Sequence, residues 1–114
     1  MALPKNRPLN VIRVYAHCTD ISTAGSYFTV APTRGKIIKM GSILFAAITT
    51  ADDVITSEIN GTAITGGGWT IATASSAPGD VDSTTPTAAN FVKEDDAIEF
   101  INSGASDTTA AVLF

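Results

Sequence analysis

"TSEINGTAITGGGWTIATA", residues 56–74, contains an Asn-Gly pair, three consecutive glycines and the sole tryptophan of the chain. A glycine run of this kind either cradles a phosphate or turns the backbone, and the two readings lead to different folds. A phosphate loop continues with Lys and then Ser or Thr and opens a helix, whereas a dinucleotide fingerprint lies between a strand and a helix with a later ribose-binding acid. Here Gly66, Gly67 and Gly68 run into Trp-Thr-Ile-Ala-Thr-Ala, a β-rich segment, and the next lysine is Lys93. The glycines therefore turn the chain or let another backbone approach closely. Trp69 then either fills the core or serves as an exposed contact for a partner or a sugar ring. Upstream, Asn60-Gly61 separates "DDVITSEI" from "TAIT". A type I′ hairpin turn needs positive φ at both central residues, and Asn-Gly tolerates this best. Asn60-Gly61-Thr62 also spells a glycosylation sequon, which carries little weight without a visible secretory signal.

Outward from this stretch, apolar residues recur with period two. "NVIRVYAHC" places Ile12, Val14, Ala16 and Cys18 on one face, with Val11, Arg13, Tyr15 and His17 on the other. "SYFTVA" puts Phe28 and Val30 on one side. "GKIIKMGSILFAAITT" is apolar on both faces and reads as one long strand bent near Gly41. Residues 74–90 hold no large apolar side chain except Val81, so they read as a mobile loop or as an extended arm ordered against a neighbour. "NFVKEDDAIEFINSG" resumes the alternation, with Lys93 to Asp96 as a polar turn and Ile98 and Phe100 sharing a face. The last apolar segment, "TTAAVLF", must be inserted in a sheet or covered. About seven to nine short strands with turn signals predict an all-β fold. The expectation is one jelly-roll-like β-sandwich domain over residues 10–114, with residues 1–9 as an extended N-terminal arm carrying Pro4 and Pro8.

Composition narrows the function classes. The chain has 114 residues, enough for one core, and is 45% hydrophobic and 16% charged. No apolar run approaches the ~20 residues that span a bilayer, and "MALPKNRPLN" lacks the apolar stretch of an export signal. The single cysteine, Cys18, excludes an internal disulfide framework and a multi-cysteine metal site. The net charge of −4 is unevenly laid out: Lys5, Arg7, Arg13, Arg34, Lys36 and Lys39 precede residue 40, while every acid except Asp20 follows residue 50. The two halves either cancel where their strands pair or form patches that meet opposite patches on copies or partners. Direct nucleic-acid binding is weakly supported, because the overall balance is acidic.

Catalysis finds little support. His17 and Cys18 are adjacent, so on a strand their side chains leave opposite faces, and there is no second histidine. Asp52-Asp53, Asp80 with Asp82, and Asp95-Asp96 raise the possibility of a carboxylate dyad or a calcium site. None has EF-hand spacing, and all fall at predicted turns, where Asp bonds its own backbone.

The stretch "PTRGKIIKMGSILFAAITTADDVITSEINGTAIT", followed by a Thr/Ser/Ala-rich segment and "TPTAANFVKEDDAIEF", resembles the small β-sandwich decoration, or cement, proteins of tailed-bacteriophage heads. The resemblance covers roughly residues 32–101 and rests on texture and segment order. In that general class the turn before the late strand often reads Glu-Gly-Asp; here it is Glu94-Asp95-Asp96, without the glycine. The resemblance implies a non-enzymatic protein, without cofactor, on the outer surface of a virion assembled in the host cytoplasm. Its partner would be the major capsid protein, with no direct contact to nucleic acid or membrane. A strand apolar on both faces further suggests self-association as a dimer or trimer. The expected partner contacts are Lys5, Arg7, Arg34, Lys36 and Trp69. Two other classes remain open. A receptor- or carbohydrate-binding module of a phage tail or adhesin would expose Trp69 with Tyr15 or Tyr27, and a small enzyme would need a polar pocket around His17.

Overall fold

The structure, a computed structural model, describes residues 11–114; the expected arm over residues 1–9 lies outside the described residues. Asn60 and Gly61 adopt φ values of 48° and 83°, the doubly positive backbone of a type I′ turn. This turn joins β5 (Asp53–Ile59) to β6 (Thr62–Ala63), with Ile59 opposite Thr62. The glycine run that follows is a close-packed corner. Gly66 takes a φ of +72°, a Cβ on Gly67 would collide with Ser57 Oγ and Ile64, and a Cβ on Gly68 would lie 3.0 Å from the Ile55 carbonyl oxygen. Ser57 Oγ donates to the Gly67 carbonyl at 2.5 Å, so the corner is held against the strand it has just left. It delivers β7 (Trp69–Ile71) back alongside β5, with Trp69 opposite Ile55. The glycines therefore turn the chain and permit backbone approach, as their sequence context requires.

The other strands are β1 (His17–Cys18), β2 (Gly25–Val30), β3 (Gly35–Lys36), β4 (Met40–Leu44), β8 (Val81–Thr84), β9 (Phe91–Val92), β10 (Ala97–Asn102) and β11 (Val112–Leu113). All pairings are antiparallel, and no helix occurs among the described residues. One sheet runs β1-β11-β4-β8, a second runs β2-β10-β5-β6 with β7 also on β5, and β3 and β9 form a two-stranded ribbon. The apolar C-terminal segment is inserted: β11 lies between β1 and β4, and residues 16 and 114 exchange backbone hydrogen bonds of 3.1 and 2.8 Å. The buried residues of both larger sheets form one core, with Met40, Leu44, Val112 and Phe114 from the first side and Ile55, Ile59, Trp69, Ile98 and Phe100 from the second.

The centre of that core is aromatic. Phe114 stacks on Phe100 with ring centroids 5.1 Å apart, and Trp69 meets both rings edge-on at 6.2 Å. Tyr27 lies 6.1 Å from Phe114. Such pairs contribute about 0.5–1.5 kcal/mol each beyond their area. The indole Nε1–H of Trp69 donates to Ser42 Oγ at 2.9 Å, so the one polar atom of the ring is satisfied by β4 on the facing side.

Three strand expectations are corrected. The long bent strand over residues 35–50 is instead β3 and β4, which belong to different sheets. Between them the chain is fixed by Asn90: the Ile37 N–H donates to the Asn90 carbonyl at 2.8 Å, and Asn90 Nδ2 donates to the Ile37 carbonyl at 2.7 Å. Gly41 marks a close approach, since a Cβ there would lie 2.5 Å from the Asp82 carbonyl oxygen. The opening strand shortens to His17–Cys18, because backbone pairing with the C-terminal segment stops at Ala16 and leaves Ile12 exposed. Residues 74–90 are not a free loop but pair within the chain. They contain β8 on the edge of β4, preceded by a Gly79 N–H to Leu44 carbonyl bond of 2.6 Å and followed by the Thr65–Ala88 bridge. Edge strands need no apolar alternation, which is why the segment lacked that signal.

The Lys93–Asp96 turn forms without its glycine because Asp95 itself takes a φ of 70°. Asp96 closes the turn, accepting the Lys93 N–H at 2.8 Å and the Asn60 side-chain amide at 2.8 Å, and these bonds hold its carboxyl below the usual carboxylate range. A left-handed backbone costs an L-residue energy that glycine escapes. Asp95→Gly is thus expected to raise stability by about 0.5–1 kcal/mol, read as a higher urea midpoint. Gly67→Ala is expected to lower it by about 1–3 kcal/mol in the same assay, because its methyl group overpacks the corner against Ser57 and Ile64.

Candidate functional site

The basic front of the sequence converges on one side of the molecule. Residues 11–15 lead into β1, and residues 31–39 cross between β2 and β4; together they wall an open-sided groove of about 760 Å³ whose floor reaches Phe100 and Phe114. Arg13, Arg34, Lys36 and Lys39 all line it. Between these cations stand exposed apolar side chains, among them Ile12, Tyr15, Ile38 and Val81. Arg34 and Lys36 also line a smaller neighbouring depression with Phe91, and Lys36 Nζ lies 5.9 Å from the centroid of that ring. An ammonium over an exposed aromatic face interacts favourably, by about 0.5–1 kcal/mol. Asp82 is the acid of the groove wall; burial, and secondarily the charge of Asp80, push its carboxyl pKa up. A surface of cations set among apolar side chains suits an acidic, partly apolar partner better than a small reactant.

The expected contact residues divide into three groups. Arg34 and Lys36 come together in this groove, where Arg13 and Lys39 join them. Lys5 and Arg7 lie outside the described residues. Trp69 is corrected from contact to core: it is 8% exposed and enclosed by Phe100, Phe114 and Ser42. The sequence names Arg13 and Lys39 only as members of the cation cluster and not as expected contacts. The charge clustering before residue 40 was the signal that could have found them.

The aromatic platform that a sugar-binding module would need is not assembled, since Trp69 is buried, Tyr27 is half-buried facing Phe114, and Tyr15 stands exposed elsewhere. His17 is exposed opposite Leu113, while Cys18 is fully buried on the other face of the same strand. Asp80 and Asp96 do serve turns, their Oδ2 atoms accepting the Ala77 and Lys93 N–H groups, each at 2.8 Å, whereas Asp52 Oδ1 makes a long-range contact, accepting the N–H and hydroxyl of Thr73 at 2.8 and 3.1 Å. Asp53 does not fit that expectation. Its side chain is buried in the interior, where Oδ1 accepts both the N–H and the hydroxyl of Ser103, at 3.0 and 2.6 Å, and fastens the start of β5 to the end of β10. Asp53 Oδ2 is buried without a hydrogen-bond partner. Among the described residues, no three His, Cys, Asp or Glu side chains are grouped as a metal site would require.

Comparison with known proteins finds no matching family model, no matching curated protein and no matching solved structure.

Against the edge of the core, hydrogen bonding to Cys18 and then burial raise the Tyr27 hydroxyl from its ordinary 10.0 to about 12. Burial likewise pushes the Cys18 thiol up. A raised phenol pKa means that the fold favours the neutral hydroxyl; this contribution is intact below pH 10.0 and lost as pH climbs through about 12. Absorbance titration at the phenolate band should therefore show the Tyr27 transition near 12, and Cys18→Ala should move it towards 10.0.

Proposed function

We propose that this protein is a non-enzymatic structural subunit that docks on the outer surface of a tailed-bacteriophage head and stabilises it, a decoration or cement protein. Its two larger sheets would then form a jelly-roll-like β-sandwich that acts as a rigid carrier, as in the proteins that residues 32–101 resemble. The observation that carries the reading is the gathering of Arg13, Arg34, Lys36 and Lys39 around a groove with apolar walls. Cations at such a surface steer and orient an acidic partner, and the apolar side chains between them supply the area that holds it. The partner in this reading is the major capsid protein, contacted where neighbouring subunits of the lattice meet. A subunit that bridges lattice neighbours stabilises a particle by mass action, because it binds the assembled surface and not the separated subunits.

Co-sedimentation of the purified protein with expanded, emptied heads of the phage that encodes it tests the reading. Saturable binding is expected, weakening as salt rises. The Arg34→Glu/Lys36→Glu variant is expected to bind at least roughly tenfold more weakly while losing no more stability than the Lys36–Phe91 contact supplies, about 0.5–1 kcal/mol, since both residues are exposed. Failure of the wild-type protein to bind, or equal binding by the variant, would overturn the proposal.

A further inference from the structure

The outer face of the second sheet carries a second surface, opposite in charge to the groove. Along β2, β10 and β5 the alternation turns Ile98, Phe100, Ile55 and Ser57 inward, so Phe28, Val30, Ile101, Val54, Glu58 and Glu99 face outward. In register, one row across the sheet reads Phe28, Glu99, Glu58, Ala63. Phe28 is 60% exposed, Val30 53% and Val54 46%. Two features of this face are unusual for a surface in water. Large apolar side chains stand exposed on it, Phe28 and Val30 along the edge strand β2 and Val54 on β5, and two glutamates stand directly opposite each other on the paired inner strands, where like charges repel. Both costs fall if the face is covered by something apolar and basic.

We infer that the occupant of this face is residues 1–10 of a neighbouring copy of the chain. The segment "MALPKNRPLN" supplies the matching chemistry: Lys5 and Arg7 against Glu58 and Glu99, with Leu3 and Leu9 at the two ends of the row, one against Phe28 and the other over Ala63. In an extended segment residues 3, 5, 7 and 9 fall on one face, and Pro4 and Pro8 fall on the other. Ten extended residues reach at most about 33–36 Å, and four strands span about 15 Å, so the segment is long enough to cross the sheet. The groove is excluded as its seat, because Arg13, Arg34, Lys36 and Lys39 would repel a basic segment. A neighbour is favoured over the same copy by the topology. Residue 11 continues into β1 of the first sheet, and the acidic face is the outer side of the second, across the shared core. Each copy then offers a basic segment and an acidic face to different neighbours, a heterologous contact that closes into a ring if the rotation allows.

Sedimentation velocity of the full chain across a concentration series tests this without any phage particle, so it stands or falls separately from the decoration reading. The wild-type protein is expected to associate reversibly, more weakly as salt rises. Glu58→Lys/Glu99→Lys is expected to weaken association at least roughly tenfold, and so is Lys5→Glu/Arg7→Glu. The four changes together are expected to restore it, because the charges are exchanged and the match is kept. Phe28→Ser, on the same outward face, is expected to weaken association without shifting the thermal midpoint. A wild-type protein that stays monomeric at every concentration overturns the inference, as does association indifferent to these substitutions. If the combined variant associates no better than either pair alone, residues 1–10 are not the occupant.

Discussion

Phe114 against Phe100 is the contact on which the rest of the structure depends. The two rings stack at 5.1 Å, and they come from segments that pair with different sheets. Trp69 meets both edge-on and donates its indole N–H to Ser42, so a single aromatic group ties β10, β7, β4 and the segment after β11 together. Without it the shared core would rest on aliphatic side chains alone, among them Met40, Leu44 and Val112 from one sheet and Ile55, Ile59 and Ile98 from the other. The inserted β11 provides this anchor, since it places Phe114 in the interior by lying between β1 and β4.

With the interior fixed in this way, the outer surfaces follow from strand parity. Every inward residue of β5 and β10 commits its neighbours to face outward, and those neighbours include Val54, Glu58 and Glu99, with Phe28 of β2 in register beside Glu99. On the other side, the crossing pinned by Asn90 carries Arg34, Lys36 and Lys39 to the groove that Arg13 completes. Among the described residues, part of the charge asymmetry of the chain survives folding: four cations gather at the groove, with Asp82 in its wall, and Glu58 and Glu99 stand together on the outer face of the second sheet. A molecule with a basic groove and an acidic, apolar sheet face is suited to directional assembly, in which each contact joins unlike surfaces.

Turn chemistry was the most readable part of the sequence, because it depends on one or two residues and their own backbone. Asn60-Gly61 could be placed without any tertiary information, and so could the turning role of Gly66 to Gly68. Strand alternation gave correct faces for Ala16, Cys18, Ile98 and Phe100. It misled where pairing partners decide the outcome. Residues 35–44 alternate as one strand, yet Asn90 captures Ile37 and sends the two halves to different sheets. Residues 81–84 lack alternation because an edge strand has one solvated side, and Asp53, which looked like a turn residue, is buried because Ser103 lies beside it. For the candidate site, the sequence showed that cations crowd the first 40 positions but not which of them share a surface.

By itself, then, the sequence determined an all-β chain with its hairpin, its glycine corner and its division into a basic and an acidic half. These properties are set by residues adjacent in the chain, through backbone sterics and side-chain parity. Tertiary structure alone decided that Trp69 is interior, that Arg13 joins Arg34 and Lys36, and that Glu58 stands opposite Glu99. Each of these depends on strand register between segments distant in the chain, and register is fixed only when the two sheets close on a common core.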